Sequence, residues 1–465
     1  MTQNGHRSNG SVSSLPYPYK AYNVHTFRTI PQVQQYLSPQ QQFEITVVAQ
    51  VFPFKTNSYV INELINWDDI PDDPIFRLTF PHRDMLLPED FDRIAALLEA
   101  KDSAGLRQAV YEIRMKLNPH PAGQLDYNVP VWKGERLKGI QHKYRETVLF
   151  FPSQGQTCHA YCSFCFRWPQ FVGMNDLKFA MREVEKLIGY LQDHPEVTDV
   201  LFTGGDPLIM KSSLLAGYLD ALIDADLPHI RTIRLGTKSL AYWPYKFFAE
   251  GEESEQLLAA FRRVVDAGKH LAVMAHFNHY RELETEAAVA AIEAIRSTGA
   301  EIRTQSPVLR YINADPDVWA RMWQRQVELG CIPYYMFVVR DTGAQHYFGI
   351  PLVEAWEIYR QACSRVSGIA RTVRGPSMST HPGKVEILGP QSINGQKVLV
   401  LRMLQGRNPE WTYRPFFAQY DETALWLDDL KPAFAEKFFF EDELRAFEAR
   451  KKAEYAQISD IAQIV

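Results

Sequence analysis

The chain has 465 residues, of which 46% are hydrophobic and 23% charged, a composition typical of globular proteins. Its formal net charge of −5 is small and gives no electrostatic reason to expect nucleic-acid binding. No apolar run is long enough to span a bilayer, and the polar N-terminus lacks the apolar core of a secretory signal. The five cysteines are too few for a disulfide scaffold and favour a reducing compartment, so we expect a cytoplasmic protein without membrane contacts.

The first 135 residues show two kinds of pattern. Residues 1–18 are rich in Gly, Ser and Asn, which predicts a disordered tail. Within residues 19–135 apolar side chains recur at helical spacing, for example over 90–99 and 106–114, which predicts a helical N-terminal region.

Residues 136–345 alternate between apolar runs and amphipathic segments, which predicts an α/β fold of six βα units with parallel strands and right-handed crossovers. Binding sites in such sheets gather at the carboxyl ends of the strands. The six predicted strands are residues 148–151, 200–203, 232–235, 271–277, 302–309 and 334–339.

The remaining residues form two predicted segments. Residues 346–420 continue the catalytic region after the sixth strand. Residues 421–465 are aromatic and charged, and predict a packing or subunit-contact extension with a terminal helix.

Three cysteines, Cys158, Cys162 and Cys165, fall within eight residues directly after the first predicted strand. Three thiolates on a [4Fe–4S] cube leave one iron open for a substrate or cofactor. A zinc site with His159 as fourth ligand is the first alternative, but structural zinc usually takes four ligands in paired short spacings. Three buried structural thiols are the second alternative. The scarcity of cysteine in the rest of the chain disfavours it.

This cysteine spacing resembles that of the radical S-adenosylmethionine (SAM) enzymes, which implies a partial (β/α)6 barrel with helical N-terminal and C-terminal extensions. In those enzymes the open iron binds SAM, and one electron cleaves it to a radical that abstracts hydrogen from the substrate. A Gly-Gly-Asp motif follows the second predicted strand, as Gly204, Gly205 and Asp206. The resemblance implies that this motif contacts the amino group of SAM.

At a finer level the chain is similar to the lysine 2,3-aminomutase family, which combines radical SAM chemistry with pyridoxal phosphate (PLP). The resemblance implies an isomerase that moves an amino group between Cα and Cβ of an amino acid. It also implies an electron donor such as a flavodoxin or ferredoxin, and a homo-oligomer is a further expectation. The motifs that carry it are residues 73–81, 142–149, the cysteine loop, 200–206, 234–238, 276–279, 305–310 and 333–335.

The family's site residues transfer to particular positions of this chain. Arg167, two residues after the last cysteine, corresponds to the arginine that holds the substrate α-carboxylate, and its planar fork suits that task. Lys384 resembles the lysine that binds PLP covalently, although the family's glycine run before it is replaced by residues 376–383. Four further positions are implied to bind cofactor: Lys143, Tyr144 and Arg145 at the PLP phosphate, and Gln305.

Two positions depart from the lysine-specific pattern. Where lysine-specific members place aspartates that grip the distal ammonium of the substrate, this chain aligns Arg340 and Arg374. Arginines would repel an ammonium and would suit a second carboxylate, so glutamate is a better candidate than lysine. The alternative is that they pair with protein carboxylates such as Asp341 or Glu386.

Two other functions stay open from the sequence. The altered segment before Lys384 is compatible with a PLP-independent radical SAM enzyme, such as an epimerase, a dehydrogenase or a peptide-modifying enzyme. A non-enzymatic iron–sulfur sensor or interaction protein is the second, which the complete set of motifs at predicted strand ends disfavours.

Overall fold

The computed structural model describes residues 15–174 and 178–462. Of the predicted disordered tail, residues 1–14 lie outside that range. The other four residues contact the folded chain: Leu15 and Tyr17 pack against the main core, and the Tyr17 hydroxyl donates a hydrogen bond to Glu63.

Helices and a small hairpin make up the N-terminal region. Its first helices begin at prolines, whose fixed φ suits the first helical turn, and Ser38 and Gln41 form a capping box at the second helix. The hairpin pairs β1 (Ala21–Asn23) with β2 (Lys55–Asn57) in antiparallel register. The five helices are α1 (Pro31–Tyr36), α2 (Pro39–Val51), α3 (Pro74–Thr79), α4 (Pro88–Glu99) and α5 (Ser103–Lys116).

A two-stranded hairpin of β3 (Val131–Trp132) and β4 (Glu135–Arg136) leads into an eleven-stranded sheet. Its strands are β5 (Ile140–Tyr144), β6 (Thr147–Phe150), β7 (Asp199–Phe202), β8 (Thr232–Thr237), β9 (His270–His276), β10 (Glu301–Val308), β11 (Ile332–Val338), β12 (Arg374–Ser379), β13 (Gly383–Ile393), β14 (Gln396–Gly406) and β15 (Pro415–Gln419).

The six predicted strands correspond to β6–β11, and all of them are parallel, so the α/β prediction is confirmed. β12 adds a seventh parallel strand that the sequence did not predict. β5 and β13–β15 extend the sheet in antiparallel register. The strand order is sequential and its two ends, β5 and β15, are not paired with each other, as expected for a partial barrel.

Helices follow the parallel strands and bury one apolar face each. In the helix after β9, for example, Ala287, Ala291 and Ile295 recur every four residues and are buried. The helices of this part are α6 (Val184–Gln192), α7 (Ser212–Asp224), α8 (Ser239–Tyr242), α9 (Glu252–Asp266), α10 (Glu286–Arg296), α11 (Pro316–Glu328), α12 (Gln345–Phe348) and α13 (Leu352–Ser364).

The C-terminal extension packs on the antiparallel strands and ends in the predicted terminal helix, α14 (Glu441–Ala462). Trp411, Phe416 and Phe440 belong to a second hydrophobic core against β13 and β14. The Tyr455 hydroxyl of α14 donates to the Val129 carbonyl at 2.7 Å, so the last helix also contacts the segment before the sheet. Among the described residues, no helix combines the length and apolar character needed to cross a membrane.

Candidate active site

The three-cysteine loop leaves the carboxyl end of β6 and is held from inside by the Gly-Gly-Asp turn after β7. The backbone N–H of Asp206 donates to the Gly155 and Thr157 carbonyls at 3.0 Å and 2.8 Å. A Cβ on Gly205 would lie 2.5 Å from the Thr157 nitrogen, which is too close for any residue other than glycine. Gly204 has φ +142°, a backbone conformation that also favours glycine. Both glycines therefore let the strand end approach the cysteine loop.

The N-terminal region holds the same loop from outside. Lys55 Nζ donates to the Cys158 carbonyl at 2.7 Å. The His159 carbonyl accepts from the Asn57 side-chain amide at 3.1 Å and from the Tyr19 hydroxyl at 2.9 Å. These long-range hydrogen bonds satisfy buried carbonyls that would otherwise be costly.

The thiols of Cys158, Cys162 and Cys165 are free and half-buried. Burial raises the pKa of Cys158, and the charges of Asp206, Cys165 and Cys162 raise it further. Burial and the charge of Cys162 raise the pKa of Cys165 to about 12. Three thiolates that are buried close to other negative charges need positive charge nearby to be stable. The iron of a cluster would supply it.

The arrangement fits a cluster better than a single ion. No group of three His, Cys, Asp or Glu side chains among the described residues is placed to hold one metal ion. Thiolates on three different irons of a cube lie farther apart than three ligands of one ion, so the cysteine loop remains compatible with a [4Fe–4S] cluster.

Asp206 has a different role from the predicted contact with the amino group of SAM. Its buried carboxylate accepts hydrogen bonds from the Thr237 hydroxyl (2.8 Å), the Lys238 backbone (2.9 Å) and the Ser239 hydroxyl (3.0 Å) of the neighbouring strand end. It also accepts from the Leu208 backbone at 2.9 Å. Both oxygens are thus committed to protein donors, and the carboxylate joins β7 to β8.

Arg167 and Arg340 flank one aromatic ring of the cysteine loop. Their guanidinium carbons lie 5.0 Å and 5.1 Å from the ring centroid of Phe166. Burial lowers the pKa of Arg167 to about 10, and Arg340 contributes to that shift. The Nε atom of Arg340 is buried and has no hydrogen-bond partner among the described residues. Two adjacent cations that form no ion pair with a described carboxylate make a site that suits an anionic ligand.

The alternative pairing of these arginines with protein carboxylates is not observed. Within the described ranges, neither Arg340 nor Arg374 forms an ion pair, and the Glu386 carboxylate is bound by Arg402 instead. Arg374 lies over the rings of Tyr334 and Tyr335, at 4.5 Å and 4.4 Å. The two arginines therefore contact different rings, and only Arg340 lies beside Arg167.

Lys384 stands at the start of β13 with its Nζ 4.0 Å from the centroid of Tyr335. Burial lowers its pKa to about 7, with a smaller contribution from the nearby cations Arg234 and Arg374. A lysine of this kind is partly neutral at physiological pH and can attack an aldehyde. The residue therefore fits the predicted attachment of PLP.

Lys143 and Tyr144 lie close to Lys384, whereas Arg145 does not. Burial lowers the pKa of Lys143, and Arg407, Arg340 and Lys384 all lower it further, so these cations are neighbours. Arg145 is exposed in the tight turn between β5 and β6, which corrects its predicted role at the PLP phosphate. Arg407, which the sequence did not single out, lies beside Tyr144 in its place.

We call Lys143, Arg167, Arg340, Arg374 and Lys384 the cationic cluster. Gln305 lies in β10, where its backbone is paired with His276 on one side and Tyr335 on the other. The Nε2 atom of His276 is buried without a hydrogen-bond partner in the part of the chain that the structure describes. His276 belongs to the 276–279 motif of the sequence, but only the fold shows that it lies next to Gln305.

A three-cysteine loop at the end of the first parallel strand, a Gly-Gly-Asp turn beside it and a half-buried lysine of lowered pKa are the features of a radical SAM enzyme with a second, lysine-bound cofactor. No protein-family model matches the sequence. A protein of Aquifex aeolicus (strain VF5), provisionally named L-lysine 2,3-aminomutase, is 33% identical over 398 residues, covering 85% of this chain and 92% of that protein. The chain therefore belongs to the lysine 2,3-aminomutase family, which implies a [4Fe–4S] cluster, SAM and PLP as cofactors.

Two more distant relatives differ in substrate. L-Lysine 2,3-aminomutase of Clostridium subterminale is 25% identical over 298 residues, 58% of this chain and 68% of that protein. Glutamate 2,3-aminomutase of Clostridioides difficile (strain 630) is 27% identical over 252 residues, 54% of this chain and 56% of that protein. A solved radical SAM methyltransferase from Kitasatospora setae has a TM-score of 0.30 and 16% identity, over 53% of this chain and 42% of that chain.

Proposed function

We propose that the protein catalyses migration of an amino group between Cα and Cβ of an acidic amino acid, with glutamate as the first candidate. A hydrogen atom leaves Cβ and returns to Cα while the amino group moves the other way, so the product is an isomer. The observation that carries the proposal is the pair Arg167 and Arg340, which lie half-buried beside Phe166 and form no ion pair with a described carboxylate.

Four residues of the cationic cluster have a task in this reaction. Arg167 holds the α-carboxylate of the substrate, and Arg340 holds its second carboxylate, by charge-assisted hydrogen bonds. When bound, SAM supplies hydrogen abstraction and PLP supplies the π-system through which the amino group moves. Lys384 carries PLP between turnovers, and Lys143 and Tyr144 face its phosphate.

The relatives leave the substrate open, since the family includes proteins named for lysine and for glutamate. The cationic cluster weighs against lysine, because a distal ammonium beside Arg340 would meet a like charge in a poorly solvated place. Among the described carboxylates, only that of Asp341 offsets the charge of Arg340. Burial raises the pKa of Asp341.

The cellular setting follows from the same chemistry. We propose a cytoplasmic enzyme that receives its electron from a flavodoxin or ferredoxin, because an exposed iron and three thiolates survive only in a reducing compartment. Homo-oligomerisation through the C-terminal extension is part of the same proposal.

The test is an anaerobic screen of amino acids with reconstituted enzyme, SAM and dithionite, with β-amino acid products measured by mass spectrometry. Glutamate or aspartate should be converted and lysine should not. Robust conversion of lysine would refute the assigned role of Arg340.

A borohydride experiment separates PLP-dependent from PLP-independent chemistry. Reduction of the PLP-loaded enzyme followed by peptide mapping should find the label on Lys384, and Lys384→Met should abolish it. Active enzyme without bound PLP would instead select the PLP-independent alternative.

A further inference from the structure

One tyrosine outside the cationic cluster touches a predicted cluster ligand directly. The hydroxyl of Tyr242, the last residue of α8, lies 3.3 Å from Cys162 Sγ. Tyr242 is only 1% exposed, so solvent does not compete for this contact. A thiolate bound to iron has no proton, so in the loaded enzyme the phenol is the donor and the sulfur the acceptor.

The fold holds this hydroxyl rigidly. The Asn57 side-chain amide donates both to the Tyr242 carbonyl at 2.9 Å and to the His159 carbonyl at 3.1 Å, so one side chain fixes α8 to the cysteine loop. Asn57 itself is fully buried. The distance between the Tyr242 hydroxyl and the Cys162 thiol is therefore set by backbone contacts of both α8 and the cysteine loop.

A positive charge stands behind the same ring. Lys238 Nζ lies 4.5 Å from the ring centroid of Tyr242 and is buried with Glu282, to which it donates at 2.7 Å. Lys238 and Glu282 act on Cys162 through their opposite charges, whereas the hydroxyl of Tyr242 lies within hydrogen-bond distance of the sulfur.

We propose that Tyr242 is a positioning residue that donates a hydrogen bond to the Cys162 thiolate and thereby raises the reduction potential of the [4Fe–4S] cluster. One-electron reduction of the cluster from 2+ to 1+ increases negative charge on its sulfurs, so a donor stabilises the reduced form more than the oxidised form. SAM cleavage requires the reduced form, and the contact makes that form easier to reach.

The test is the midpoint potential of the reconstituted, anaerobic enzyme without substrate, measured by EPR during titration with dithionite. Tyr242→Phe should become harder to reduce, with the reduction equilibrium weakened about tenfold, or about 59 mV for one electron. The matched control is Tyr59→Phe, since Tyr59 is also buried but shares its hydroxyl with Thr285 at 2.7 Å rather than with a cysteine. The control should keep the potential of the unmodified enzyme.

An unchanged potential in Tyr242→Phe, at full iron content, would overturn the proposal. If that variant does not assemble its cluster, fluorotyrosines placed at position 242 keep the test open. They retain the ring and make the phenol a stronger donor, so the potential should rise with each fluorine, and a flat series would contradict the proposal. The readout needs only the cluster, so it stands apart from the outcome of the substrate screen.

Discussion

The imidazole Nε2 of His381 is hydrogen-bonded to the carboxylate of Glu448 at 2.8 Å, which ties α14 to the turn that precedes Lys384. With Nε2 protonated, Nδ1 of His381 can accept from Arg407 at 3.2 Å. The last helix thus orients one of the cations beside Tyr144.

We expect Glu448→Ala to weaken PLP binding about tenfold, because His381 then loses the partner that fixes its protonated nitrogen and Arg407 loses its orientation. Absorbance titration of the anaerobic enzyme with PLP measures this. Glu422→Ala, an exposed change in the same extension, should leave the affinity unchanged. Equal affinities for both variants would show that α14 does not act on the PLP site.

Attachment of PLP to Lys384 should have a midpoint near pH 7. The amine attacks only when neutral, and its pKa is about 7, so the rate of attachment rises as the pH passes through that value. Arg374→Gln removes a positive neighbour that lowers this pKa, so the midpoint should move to higher pH. Stopped-flow absorbance after mixing with PLP gives the profile, with the exposed Arg360→Gln as control. A midpoint near the pKa of an ordinary lysine would refute the burial argument.

Gly205→Ala should prevent cluster assembly, because its Cβ would meet the Thr157 backbone and push the cysteine loop outward. Overpacking of this kind costs about 1–3 kcal/mol. Gly217→Ala is the matched control: it lies in α7 with nothing within 4 Å of the added Cβ, and should stabilise the protein by about 0.5–1 kcal/mol. Iron analysis and thermal unfolding measure both, and full iron content in Gly205→Ala would contradict the expectation.

Arg340→Gln should raise the KM for glutamate ten- to hundredfold, corresponding to about 1.5–3 kcal/mol for a hydrogen bond to a charged group. PLP affinity should stay the same. Arg263→Gln breaks only the exposed pair with Asp220 and serves as the control. The opposite pattern, with weaker PLP binding and an unchanged KM, would assign Arg340 to the phosphate.

Local patterns were sufficient for the parallel strands β6–β11, because buried apolar residues recur along each of them between amphipathic segments. β12 escaped prediction because its sequence, with Gly375 and Pro376, does not read as a strand, and only pairing with β11 reveals it.

Some residues of the candidate site could likewise be predicted from the sequence, and others could not. The cysteines and Lys384 were predicted from motifs, and their roles stay predictions, whereas the contacts of Asp206 depend on donors from another strand end, about 30 positions downstream. Arg145 was misassigned because a tight turn between β5 and β6 directs it to solvent, and the motif around it does not reveal that turn.

The hydrogen bonds from Lys55 and Asn57 to the cysteine loop join residues about 100 positions apart. Without the N-terminal region, the backbone carbonyls of Cys158 and His159 would lack these hydrogen-bond donors. The two regions therefore form one structural unit, and exchanging the barrel between relatives should succeed only when residues 19–135 are exchanged with it.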